Sequence, residues 1–100
     1  MSVTAVIVFR VHPGKLNEFL ENQRTAKKLI EKAGGTHSLR RQVYGAQPGH
    51  FAVVAQYPDW QGLGKVRSDP EFRQMLERVR DAANPAAEQV AASVFEDVAL

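Results

Sequence analysis

The chain has no cysteine, which excludes disulfides, thiolate metal centres and a cysteine nucleophile. Charge of neither sign dominates: 13 Lys and Arg against 11 Asp and Glu leave a formal net charge of +2. The basic residues are spread along the chain, and the only adjacent pairs are Lys27-Lys28 and Arg40-Arg41. Nucleic acid needs a concentrated basic stripe with interleaved aromatics, so no nucleic-acid partner is expected. Long apolar runs are missing too. Val3 to Phe9 is too short for a membrane span and lacks the basic flank of a signal peptide, so the expectation is a cytoplasmic chain with no membrane partner. Metal-ligand spacing is absent: no two of the three histidines share an element, and no acidic residue stands two or four positions from any of them.

What is present is a sequence of hydrophobic periods. In 100 residues, 44% of them hydrophobic, the pattern runs alternating, helical, alternating, alternating, helical, alternating. That order predicts one domain, residues 1–100, of α+β class: a ferredoxin-like β-α-β-β-α-β unit with a four-stranded antiparallel sheet and helices on one face. Val3, Ala5, Ile7, Phe9 and Val11 share one side of the first strand, yet Val6 and Val8 on the other side are also apolar. The third strand, 50–57, repeats this through Phe51-Ala52-Val53-Val54-Ala55. A strand wet on one side alternates cleanly, so both faces of these two should be covered.

Pro13-Gly14 ends the first strand and Pro13 suits a helix entrance. A helix over about 14–33 carries the stripe Leu16, Phe19, Leu20, Gln23, Ala26, Ile30 and Ala33, and stops at Gly34-Gly35. The second strand, 36–44, is unusually polar, and Gly45 to Gly49 supplies a hairpin connection. Asp59 fits an N-cap for a short helix bearing Trp60, Leu63 and Val66. Ser68-Asp69-Pro70-Glu71 restarts the helix, with Phe72, Met75, Leu76 and Val79 as its apolar stripe. Asn84-Pro85 breaks the chain before a last strand over about 88–98.

The segments Val11-His12-Pro13-Gly14-Lys15-Leu16, Tyr57-Pro58-Asp59-Trp60 and Ser68-Asp69-Pro70-Glu71-Phe72 resemble the dimeric α+β barrel superfamily. Within it the chain is similar to NIPSNAP-like and antibiotic-biosynthesis-monooxygenase-like sequences. The resemblance implies a homodimer formed by sheet-to-sheet packing, with each pocket between a sheet and its own helices. The superfamily holds cofactor-free monooxygenases, haem-degrading enzymes, lactone isomerases and members without demonstrated activity, so fold alone fixes no reaction. Haem-degrading members resemble one another in an Asn on the first strand and a Trp and a His deep in the second helical region. Here that strand has no Asn, Trp60 opens the region and no His follows His50, so haem degradation is not expected.

His37 is the candidate catalytic residue, because it shares a strand face with Leu39, Arg41 and Val43, and an imidazole titrates near neutrality. The competing reading is a histidine hydrogen-bonded at a sheet end. His12 and His50 read as capping or solvent-facing residues. Arg40 and Arg41 point to opposite faces, so one faces a covered side and needs an anion: a carboxylate such as Glu96 or Asp97, a partner-chain carboxylate, or a substrate held by Arg41. Tyr57 and Trp60 are the remaining substrate-binding candidates, against ordinary packing at a sheet end, which is favoured for Tyr44. Gly62 and Gly64 weaken the short helix by about 1 kcal/mol each relative to Ala, which suggests a lid. Two functions follow. One is a cofactor-independent monooxygenase or isomerase acting on a small aromatic or polyketide-like metabolite, with no cofactor expected. The other is a non-catalytic module that binds a small ligand or supports assembly.

Overall fold

The computed structural model describes residues 2–45 and 49–100. The alternating and helical periods condense into β1 (Val3–Val11), α1 (Leu16–Lys32), β2 (Thr36–Arg41), β3 (Phe51–Tyr57), α2 (Trp60–Ser68), α3 (Pro70–Arg80) and β4 (Ala87–Glu96). The strands form one sheet in the order β2-β3-β1-β4, with every pairing antiparallel. The two strands with apolar residues on both sides, β1 and β3, are its centre. This is the ferredoxin-like α+β arrangement that the periods predict.

Register assigns the faces. Val3 lies opposite Tyr57, Ala5 opposite Ala55 and Ile7 opposite Val53, and these odd-numbered residues point to the helices. Val3, Ala55 and Tyr57 pack with Ile30 of α1 and with Leu63 and Val66 of α2. A second cluster joins Ala26 and Leu29 of α1 to Met75 of α3, and Phe72 touches both clusters. Phe19 lies between Phe9 and Phe51 with ring centroids 5.5 Å from each. The even-numbered residues Thr4, Val6, Val8, Ala52 and Val54 point away from every helix, and no described element covers them.

Several boundaries differ from the sequence reading, each for a local reason. Pro13 and Gly14 form a turn, Gly14 having φ +76°, so α1 starts only at Leu16, after Lys15. β2 ends at Arg41, opposite Phe51, and Val43 and Tyr44 lie outside it; Tyr44 is 93% exposed and does not pack at the sheet end. The expected hairpin connection falls partly on 46–48, outside the described residues. β4 starts one residue earlier than expected and stops at Glu96; its register shifts between Val8 and Phe9 of β1, leaving Val90 as a bulge. Both helix starts behave as read: the Asp59 carboxylate accepts from Gly62 N–H at 3.0 Å, and that of Asp69 accepts from Glu71 N–H at 2.9 Å, with Pro70 opening α3.

Gly62 has a packing reason beyond helix weakness, since a Cβ there would come within 3.2 Å of the Tyr57 side chain. At Gly35 a Cβ would meet Tyr57 Cε1 at 2.7 Å and Ile30 Cγ2 at 2.9 Å, both inside the core. Gly64 faces open space. In thermal or urea unfolding, Gly35→Ala should therefore destabilise the fold by about 1–3 kcal/mol through overpacking. Gly64→Ala should stabilise it by up to about 1 kcal/mol through helix propensity.

Candidate functional site

The gap between the sheet, the first half of α1 and the second half of α3 is a cavity of about 640 Å³. Its floor is Ile7 and Phe9 of β1. Phe19 borders it from α1, and Met75, the half-exposed Leu76 and Val79 border it from α3. The turn before β4, Pro85 and Ala86, seals the end where His12 N–H donates to Ala86 O at 2.9 Å. The cavity exists because the two helical segments diverge: α2 packs on Tyr57 and Val3, while α3 reaches across toward the β1 side of the sheet. Polar groups are few. They are His12, Asn22 and Gln23, with Arg80, Glu88 and Gln89 also bordering the space. An apolar chamber with a few convergent polar groups is the usual build of a small-molecule site.

The sequence candidates lie elsewhere. His37, on the helix-facing side of β2, borders a smaller recess of about 280 Å³ with Leu20, Gln23, Arg24 and Lys27. Its Nε2 lies 3.0 Å from Gln23 Oε1. Since a carboxamide oxygen only accepts, the ring nitrogen donates in this contact. Burial, reinforced by the Lys27 ammonium, lowers the His37 pKa below its ordinary 6.5, against smaller upward pulls from a backbone hydrogen bond and Glu31. Tyr57 is 3% exposed in the core beneath α2, and burial raises its phenol pKa, which disfavours a phenolate there. Trp60 opens α2 and is 51% exposed. None of His37, Arg41, Tyr57 and Trp60 lines the large cavity.

Arg41 shares the helix-facing side with His37 but is exposed, and Arg40 is exposed on the open side. Neither forms an ion pair among the described residues. Glu96 and Asp97 cannot serve either arginine within one chain, because β2 and β4 are opposite edges of the sheet. The expectation of an intrachain partner there is therefore overturned. The sequence reading also missed the cavity's polar groups. His12 was discounted as a capping residue, yet it borders the cavity. Gln23 carried a signal: it is the single polar side chain in the stripe Leu16, Phe19, Leu20, Gln23, Ala26, Ile30, Ala33.

Fold and cavity together describe a ferredoxin-like sheet and helices that border an apolar chamber. The family model of antibiotic biosynthesis monooxygenases matches residues 2–78, and the chain belongs to that family. Solved structures agree on the fold. SnoaB, a cofactor-independent oxygenase from Streptomyces nogalater, is 18% identical, with 99% of this chain and 95% of that one covered at a TM-score of 0.75. A Mycobacterium tuberculosis protein is 14% identical, covering 100% and 98% at 0.73. A DABB-family protein with a ferredoxin-like fold from Mesorhizobium loti is 20% identical, covering 98% of each chain at 0.71. No curated protein is significantly similar in sequence. No described helix is long and apolar enough to cross a membrane.

The His37 shift has a sign that can be measured. A histidine whose pKa is lowered by folding favours the neutral folded form, so its contribution is complete above pH 6.5 and is lost as pH falls through the lower folded value. The melting temperature should therefore decline below about pH 6.5. In His37→Gln that part of the decline should be absent; an unchanged pH profile would assign it to other groups.

Proposed function

We propose that this protein is a cofactor-independent monooxygenase whose substrate, a small aromatic or polyketide-like compound with an enolisable position, occupies the 640 Å³ cavity. The observation that carries the reading is the chamber itself, walled by Phe9, Phe19, Met75, Leu76 and Val79 in a member of this family. An enolate or phenolate can supply electrons to oxygen directly. A substrate methylene and O2 then give a carbonyl and water, with one oxygen atom in each product. The protein's work is to bind the ring system, exclude water and assist proton removal. His12 borders the cavity, and His37 lies outside it, hydrogen-bonded to the cavity-lining Gln23.

The open sheet face supports the second half of the proposal, a homodimer through sheet-to-sheet packing. Val6, Val8, Ala52 and Val54 form its centre, and Phe95 on β4 is 57% exposed beside them. Arg10 and Glu88 pair across β1 and β4 at one end of this face. A twofold axis along the strands lays the β2 edge over the partner's β4 edge, with Arg40, in the Ala52–Val8 row, two residue rows from the row of Arg10 and Glu88. In such a dimer Glu88, already paired with Arg10 of its own chain, is the partner-chain carboxylate nearest Arg40 by register. Sedimentation equilibrium should report a dimer, and Val54→Glu should shift it to monomer by burying an unpaired charge. A monomeric parent protein would dismiss this arrangement.

A non-catalytic ligand-binding module is the second reading. It is favoured by one observation: the ring of His37 is engaged by Gln23 and does not face the cavity. Oxygen-electrode assays with enolisable polycyclic ketones and phenols separate the two. Consumption of one O2 per substrate, abolished when Val79→Phe fills the cavity, supports the oxygenase. Binding that Val79→Phe blocks, without oxygen consumption by the parent protein, supports the module.

A further inference from the structure

Gln23 borders two spaces at once, the large apolar cavity and the smaller recess that holds His37. Its position on α1 follows from the helical period: four residues after Phe19, it lies on the same cavity-facing side. A free glutamine amide can turn either end toward a ligand, because its oxygen accepts and its nitrogen donates. This one is latched. Oε1 is 3.0 Å from His37 Nε2, and the two terminal atoms of a carboxamide diverge, so the NH2 group points away from the His37 ring. Among the described residues no hydrogen bond engages that NH2, whereas the cavity lies beside it.

We infer that Gln23 is a fixed hydrogen-bond donor of the cavity, oriented by His37, and that it selects ligands bearing a carbonyl or enolate oxygen on an apolar ring system. The inference rests on the cavity being the ligand site, and it adds to that reading the chemistry by which the site chooses. Asn22, the neighbouring amide on the wall, has no such latch among the described residues and does not choose between donor and acceptor. His37 is the positioning residue: it need not touch the ligand, and its effect passes through the Gln23 oxygen. In a chamber this apolar, a donor already aimed at an oxygen costs no reorganisation on binding.

The test uses two probes with one skeleton, 1-tetralone, which carries a ketone oxygen, and tetralin, which lacks it. Binding to the 100-residue chain is followed by NMR of the Met75 methyl and of the Gln23 side-chain NH2. One hydrogen bond in an apolar site predicts that tetralone, relative to tetralin, binds about five- to tenfold tighter than in Gln23→Leu, where the ketone gains no donor. The Gln23 NH2 resonance should move with tetralone and not with tetralin. His37→Phe should reduce the tetralone preference while tetralin affinity is retained, and His37→Gln, which can again donate to Oε1, should restore part of it. Equal binding of both probes by the Leu variant and the parent protein, with the Met75 methyl shifting, would overturn the donor role and leave the cavity as the site. If neither probe shifts Met75, the cavity reading falls and the donor role with it.

Discussion

The arrangement depends on the central pair β1 and β3, whose residues are apolar on both sides of the sheet. One side is answered within the chain by α1, α2 and α3, which gather Val3, Ala55 and Tyr57 into a core. The other side, with Val6, Val8, Ala52 and Val54, has no cover among the described residues of the chain. A 100-residue domain buries a limited share of its surface, and leaving such a face wet forgoes much of the available hydrophobic stabilisation. The cavity has the same origin. Covering half the sheet with a broken helix lets α2 pack tightly on Tyr57, where Gly35 and Gly62 make room, while α3 leaves space over Ile7 and Phe9.

The parts of this fold legible in sequence are those that repeat. Strand and helix periods placed every element, and the Asp59 and Asp69 caps were visible because a carboxylate before a helix answers free N–H groups in one way. The end of β2 was not legible: Val43 and Tyr44 continue an alternation that the turn toward β3 interrupts, and turn geometry depends on both strands. The site was less legible than the fold. His37 and Arg41 share one face of β2 by alternation, but alternation does not say which face meets the helices or where along it the helices diverge. The cavity lies over β1 and the start of β4, at the other side of the sheet from β2. Tyr57 illustrates the complementary error: an amphipathic aromatic at a strand end suggested a pocket wall, and it became the residue on which α2 packs.

Gln23 shows why chemistry of the proposed kind leaves so faint a trace. When the substrate itself provides the electrons for oxygen, the protein needs no metal-ligand spacing, no phosphate loop and no nucleophile beside a base. It needs a dry chamber and groups that hold an anion at the right strength. The chamber is built from the residue types that build any core, and a glutamine in a helix stripe looks like a tolerated imperfection.

That holding strength is itself constrained from two sides. Proton removal becomes easier as the developing oxyanion is better stabilised, and an apolar wall alone offers nothing for that charge. Yet the anion must next give an electron to oxygen, and every interaction that lowers its energy makes that transfer harder. A guanidinium aimed at the oxygen would favour the first step at the expense of the second. A neutral amide donor, fixed in direction by a histidine kept neutral by burial and by Lys27, stabilises the charge more weakly and carries no full positive charge of its own. In the proposed reaction this places the amide nearest the substrate oxygen and leaves the cation, Arg80, to a surface-exposed position on α3 where solvent screens it.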